Sequence, residues 1–132
     1  MPHHLGKARA EDVVRCSGLD WTVLQPGAYL QNLDLSTTVR VPYDVDASFG
    51  FLDLADLGAA AATVLLDDGH EGATYELASR RATVRELASE AGVGAERVVD
   101  PGGHPWLTAM FGYYDRNGLP VGTLPLRALL GR

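Results

Sequence analysis

Apolar residues recur along the chain at two periods. Ala10, Val13 and Val14 fall at i, i+3 and i+4 between Lys7 and Ser17, and Gly18 supplies a stop, which predicts a helix. Trp21-Thr22-Val23-Leu24 is a short β-rich run ending at Pro26-Gly27, the pattern of a buried strand leaving a sheet. Residues 28–38 read as irregular or briefly helical, and Val39 to Val41 and Phe49 to Leu52 as strand candidates around an acidic turn. Asp53 and Asp56 precede Leu57, Ala60, Ala61, Val64 and Leu65 at helical spacing, so an Asp cap opens a helix there. Ala59 to Ala62 crowd that helix and predict a face buried against a close neighbour. Ala73 to Leu77 alternates as a strand does. Thr83 and Glu86 form a capping box ahead of Val84, Leu87, Ala88 and Ala91, and Gly92 closes that helix. Arg97 to Val99 reads as a last strand before the Pro101-Gly102-Gly103 break. Trp106, Met110, Tyr113 and Tyr114 then recur at helical spacing up to Asn117-Gly118, and Thr123 caps a short final helix through Leu129 and Leu130.

With 132 residues, 46% hydrophobic and 21% charged, the chain is expected to be one domain over residues 1–132, and disorder is excluded. The formal charge of -6 argues against nucleic acid or an anionic membrane as partner. All eight charges between residues 44 and 76 are acidic, and caps and solvated turns account for them. Cys16 is the only cysteine, which excludes an intrachain disulfide and a CxxC site and fits a reducing cytoplasm. No apolar run approaches a membrane span, and Met1-Pro2-His3-His4 lacks the order of a signal peptide, so a soluble intracellular protein is expected. His70 and His104 lack ligand partners at metal spacing, and no metal is expected.

Several segments, in order, resemble the NmrA-like branch of the atypical short-chain dehydrogenases. They are Lys7-xxx-Glu11, then Ser17 to Gly27 with Asn32, then Phe51-Leu52-Asp53-Leu54-Ala55-Asp56 with its alanine-rich helix. Gly72 to Leu77, Ala82 to Ala88 and Gly118 to Arg132 follow. The resemblance implies the C-terminal half of a Rossmann-like NmrA-type fold: α/β, a few-stranded, mostly parallel sheet with flanking helices and a C-terminal helical cap. The family's opening strand, glycine-rich turn and helix have no counterpart here, since no G-x-G-x-x-G is present. A complete nucleotide site is therefore not expected from this chain alone, although the family implies NAD(P)H as cofactor. Without that half, the strand at Trp21 to Leu24 would expose its hydrogen-bonding edge, and a homo-oligomer or a partner chain completing the sheet is expected.

By the same resemblance, Lys7 would contact the nicotinamide ribose or assist proton transfer, since a fixed ammonium anchors hydroxyl oxygens and lowers a neighbouring acid's pKa. The residues alone also allow a solvated lysine paired with Glu11 at i+4. His3 stands where typical short-chain dehydrogenases place the tyrosine of their Tyr-xxx-Lys pair and is a catalytic candidate, with chain-end fraying as the plain reading. His4 fits a histidine found in some members. Gln25, Pro26, Gly27, Tyr29 and Asn32 form the segment that in the family closes over the nicotinamide and faces the substrate, although Gln25 stands where arginine is commoner. Pro26 and Gly27 are thus cofactor-side candidates, Gln25 and Asn32 substrate-side, and Tyr29 both catalytic and substrate-side. Trp106 and Phe111 would line a pocket for a flat ligand, or serve as core. The implied activity is NAD(P)H-linked oxidoreduction of a small organic molecule if a nucleotide half is supplied in trans. A cofactor-free cyclase or isomerase, or a non-catalytic binding or dimerisation module, are the alternatives.

Overall fold

The computed structural model describes residues 2–132, with side chains from His4 onward. Helix α1 (Pro2–Arg15) leads into β1 (Thr22–Pro26), which pairs in parallel with β5 (Ala73–Leu77) in the register Thr22↔Ala73 to Pro26↔Leu77. At Gly27 the strand changes partner. Its amide still donates to Leu77 O at 2.8 Å, but the next two residues, β2 (Ala28–Tyr29), pair in parallel with β4 (Phe49–Leu52). A Cβ at Gly27 would lie 2.2 Å from Gly50 O, so only glycine lets the two backbones approach this closely. β4 also pairs antiparallel with β6 (Arg80–Ala82), and β3 (Val39–Val41) pairs in parallel with β7 (Ala95–Arg97). The result is α/β with mostly parallel pairing, as the resemblance implies.

Helix α2 (Leu54–Leu66) starts at the Asp53 cap, whose side chain accepts from Ala55 N at 2.9 Å. Helix α3 (Val84–Glu90) starts at the Thr83–Glu86 capping box, complete in both directions. Helix α4 (Pro105–Asn117) ends at Gly118, and α5 (Leu124–Leu130) closes the chain's last turn. One core gathers Phe49, Phe51, Val84 and Leu87 with Tyr43 and the β3 valines. A second packs Leu52, Ala60, Leu77 and Leu126 between β5, α2 and α5. Ser79 ties the two regions together: its hydroxyl accepts from Asp53 N at 2.9 Å and donates to Asp56 Oδ2 at 2.6 Å. That bond, helped by Arg132, holds the Asp56 carboxyl below its usual range.

Several expectations need correction. The helix at the start of the chain extends back to Pro2, and Ser17 closes it by donating to Val14 O. The last strand lies at Ala95–Arg97, two residues before the predicted run, because its partner Val39–Val41 fixes the register. β6 carried no apolar signal, since Arg80 and Arg81 lie in it. Thr123 stands at the start of α5 but makes no side-chain cap bond, its backbone being helical already. On α2 only Ala60 is fully buried. Leu65 and Leu66 are 83% and 82% exposed, outside the core that α2 forms with β5 and α5. α1 is more extreme. No described side chain on it is buried, and Val13 is 72% exposed. β1 pairs with β5 alone among the described residues, so one of its edges is open.

No helix among the described residues is long and apolar enough to cross a membrane. Gly27→Ala is expected to destabilise the protein by at least about 2 kcal/mol in urea unfolding, because its methyl has no room against backbone. The same change at Gly58, where a Cβ meets nothing, should be neutral or stabilising.

Candidate functional site

The partner switch at Gly27 leaves a cleft of about 900 Å³ above the end of β1. Two unlike walls enclose it. The outer wall is polar: α1 turns His4, Lys7, Ala8 and Glu11 toward it, at i, i+3, i+4 and i+7 on one helical face, and Gln25 and Glu76 stand beside them at the strand ends. The inner wall is apolar and aromatic, made by Val41, Tyr43, Phe49 and Phe51 from the first core and by Met110, Phe111 and Tyr114 from α4. Tyr29 and Asn32 border the mouth, on the segment that leaves β1.

Side-chain bonds rather than apolar burial hold α1 in place. Gln25 Nε2 donates to both Glu11 oxygens, at 3.1 and 3.2 Å. Arg15 lies over the Trp21 ring, 5.5 Å from its centroid, and donates to Thr74 Oγ1 at 3.2 Å. Glu11 thus turns to Gln25 and to Arg15, 3.4 Å away, and the anticipated Lys7–Glu11 pair does not form. Lys7 pairs with none of the described residues. Gln25, its amide nitrogen engaged, offers a ligand only its carbonyl oxygen.

The cleft therefore brings together Lys7, Gln25, Pro26, Gly27, Tyr29, Asn32 and Phe111 among the residues named from sequence. Trp106 is not in it: the ring is 53% exposed and edge-on to His104, with centroids 6.3 Å apart. The His3 side chain lies outside the described residues. His70 is held by Tyr75, Nδ1 to hydroxyl 2.9 Å. Among the described residues no three His, Cys, Asp or Glu side chains gather closely enough to hold a metal. Sequence reasoning missed Tyr43, which sits in an acidic turn with no periodic signal, and Gln31, which fixes the loop through Asp53 Oδ1 at 3.1 Å and Leu54 N at 3.2 Å.

The aromatic wall changes the chemistry of its hydroxyls. Burial, with Tyr114 close by, pushes the Tyr43 phenol up from 10.0 to about 12, and burial raises Tyr114 as well. Both are neutral donors at physiological pH.

No family model matches the chain. Among curated proteins, quinone oxidoreductase 2 of Escherichia coli is 36% identical over 87 residues, 61% of this chain and 30% of that protein. A (4-alkanoyl-5-oxo-2,5-dihydrofuran-3-yl)methyl phosphate reductase of Streptomyces griseus is 32% identical over 88 residues, 61% of this chain and 31% of that one. Among solved structures, a nucleoside-diphosphate-sugar epimerase from Staphylococcus aureus superposes with a TM-score of 0.75 at 16% identity, covering 95% of this chain and 53% of that one. The E. coli NADPH-dependent quinone oxidoreductase with NADPH gives 0.70 at 25% identity, over 92% and 52%. NmrA, a negative transcriptional regulator solved with NAD, gives 0.64 at 17%, over 92% and 51%. The chain spans about half the length of these solved relatives. The fold is α/β and Rossmann-like, as in these solved structures. Over 87 residues the sequence is similar to the E. coli quinone oxidoreductase, and the NmrA structure shares the fold.

The residues present do not fit the pyrophosphate of such a cofactor. α2 and α3 cap their own N-termini with Asp53 and with Thr83 and Glu86, so neither is left for a phosphate. Gly27, the one glycine in the cleft lining, is filled against by Gly50 O. In a spectrophotometric titration two phenols are expected to ionise late, one of them near 12. Tyr43→Phe should remove that step. Because the folded value is the raised one, Tyr43 should erode stability as pH climbs from 10 toward 12, and a melting temperature that falls less steeply over that range in Tyr43→Phe than in the parent checks it.

Proposed function

We propose that the chain is the substrate-side half of an NAD(P)H-linked oxidoreductase acting on a small organic carbonyl compound, with the nucleotide-binding half contributed by a second polypeptide. The observation that carries this reading is the cleft itself, where Lys7, paired with none of the described residues, lines with Tyr29, Asn32 and the Pro26-Gly27 exit a hollow large enough for a small ligand. The printed activities of the similar E. coli and S. griseus proteins, quinone oxidoreduction and reduction of a furanone phosphate, support it. In this reading Lys7 anchors the ribose hydroxyls and Pro26 and Gly27 frame the nicotinamide end. Tyr29 and Asn32 hold the substrate, with Gln25 and Phe111 beside them.

The second polypeptide is inferred from the β1 edge. A parallel strand in a covered sheet has neighbours on both sides, whereas β1 pairs with β5 alone among the described residues, and Val13, Val14, Leu19, Leu65 and Leu66 are exposed apolar side chains. The solved relatives carry roughly as much chain again beyond the part that matches, which is enough for a nucleotide half. Alone, the chain would cover this edge by self-association. A cytoplasmic setting accords with the exposed free thiol of Cys16.

Thermal denaturation with millimolar NADPH or NADH is expected to show no stabilisation of the isolated chain, and light scattering at micromolar concentration to show more than one copy. Saturable stabilisation by either nucleotide, or a monodisperse monomer, would overturn the two-chain reading.

A further inference from the structure

The strand ends on the outer wall of the cleft present two acceptors that the protein does not use. Leu24 and Tyr75, register partners on β1 and β5, both pack against the second core. The next pair in the register, Gln25↔Glu76, therefore turns to the opposite face, where α1 lies and the cleft opens. The Glu11 carboxylate can only accept, so its two bonds with Gln25, at 3.1 and 3.2 Å, fix which end of the amide is which. The nitrogen is turned to α1 and the oxygen is left over. Neither Gln25 Oε1 nor the Glu76 carboxylate bonds to any described residue. The one side-chain polar atom sealed from solvent without a partner among the described residues is Asp115 Oδ1, so both acceptors are open to a ligand.

Two neighbouring acceptors, one of them charged, favour a group that only donates. A primary ammonium is such a group, since its several N–H donors and positive charge serve both at once. No lysine or arginine among the described residues meets them. Arg15 is spent on Glu11 and Thr74, and Lys7 pairs with none of the described residues, Glu76 included. The aromatic wall, with the rings of Tyr43, Phe49 and Tyr114, takes the rest of the ligand, and ring faces attract a nearby cation. We propose that Gln25 and Glu76 are the specificity-determining end of the cleft. Its ligand carries a primary ammonium on an apolar, ring-bearing body, and the ammonium donates to Gln25 Oε1 and to the Glu76 carboxylate. This rests on the reading that the cleft takes the substrate, with Lys7 committed to the cofactor, and it names that substrate as an amino-substituted carbonyl compound.

The probes are 2-phenylethylamine, 2-phenylethanol and 3-phenylpropionate, which share a ring and differ at the head, each titrated into the chain without nucleotide and followed by ligand-observed NMR. The amine is expected to bind most tightly and the carboxylate least. Glu76 is exposed, and Glu76→Gln keeps an acceptor while removing the charge. It should weaken the amine roughly two- to fivefold, the range of an exposed ion pair, and leave the alcohol unchanged. Gln25→Arg still donates to Glu11, so α1 stays moored, but a cation replaces the acceptor. It should weaken the amine about tenfold or more and reverse the order of amine and carboxylate, which loss of the fold would not do. No saturable binding of the amine by the parent, an alcohol or carboxylate bound as tightly, an amine affinity unchanged in Glu76→Gln, or an unreversed order in Gln25→Arg overturns the assignment. Because nucleotide is absent, any of these leaves the two-chain reading standing, whereas stabilisation by NADPH in the earlier experiment would sink that reading and leave the ammonium site in place.

Discussion

Everything that makes a cleft in this molecule depends on a backbone contact that excludes every side chain. Gly27 donates to Leu77 O while Gly50 O sits where its Cβ would be. The extended run from Thr22 to Tyr29 can therefore pair first with β5 and then with β4. Without that switch, β1 would continue along β5 and the hollow between the α1 face and the aromatic core would have no floor. The constraint is steric and local, yet it sets the distance between the two walls. Gly50 is pinned from the other side by Val121, whose carbonyl would be 2.5 Å from a Cβ there. The segment after α4 is thus tied into the same junction.

Much of this was legible in the sequence, for physical reasons that can be named. Thr83 and Glu86 declare a helix start because both ends of the reciprocal cap are side chains, and the structure shows both bonds. Asp53 does the same for α2. β6 was not legible, because its two arginines serve surface bonds, Arg80 to Glu90 and Arg81 to Ser48, and only Ala82 turns inward. The site divides in the same manner. Lys7, Gln25, Tyr29 and Asn32 stood out as polar groups around a Pro-Gly strand exit. Tyr43 did not, because its importance comes from rings that reach it from β4 and α4, far away in sequence.

The acidic middle of the chain is a structural device. Asp44 turns the backbone by accepting from Asp46 N, and Asp46 pairs with Arg85 on α3, which holds its carboxyl below the ordinary range. Asp53 and Asp56 meet at Ser79, so the start of α2 and the segment between β5 and β6 share one hydroxyl. Such exposed pairs are individually worth little. Their effect is positional: they fix the loops that carry β3 and β4 into the core, where Tyr43, Phe49 and Phe51 form the inner wall.

The two walls differ in what holds them. The aromatic wall belongs to a packed core in which Phe49 and Phe51 are 0% and 1% exposed, so its geometry is set by this chain alone. The polar wall hangs on α1, a helix with no buried described side chain, moored by Gln25 to Glu11 and by Arg15 to Trp21 and Thr74. A helix held by a few polar contacts lies at the low end of local stability. The shape of the aromatic wall therefore needs nothing beyond this chain. The placement of Lys7 depends on the Glu11 and Arg15 contacts that moor α1, whose Val13 and Val14 are left exposed. The polar wall is thus the less firmly held of the two, and the aromatic wall keeps its shape independently of it.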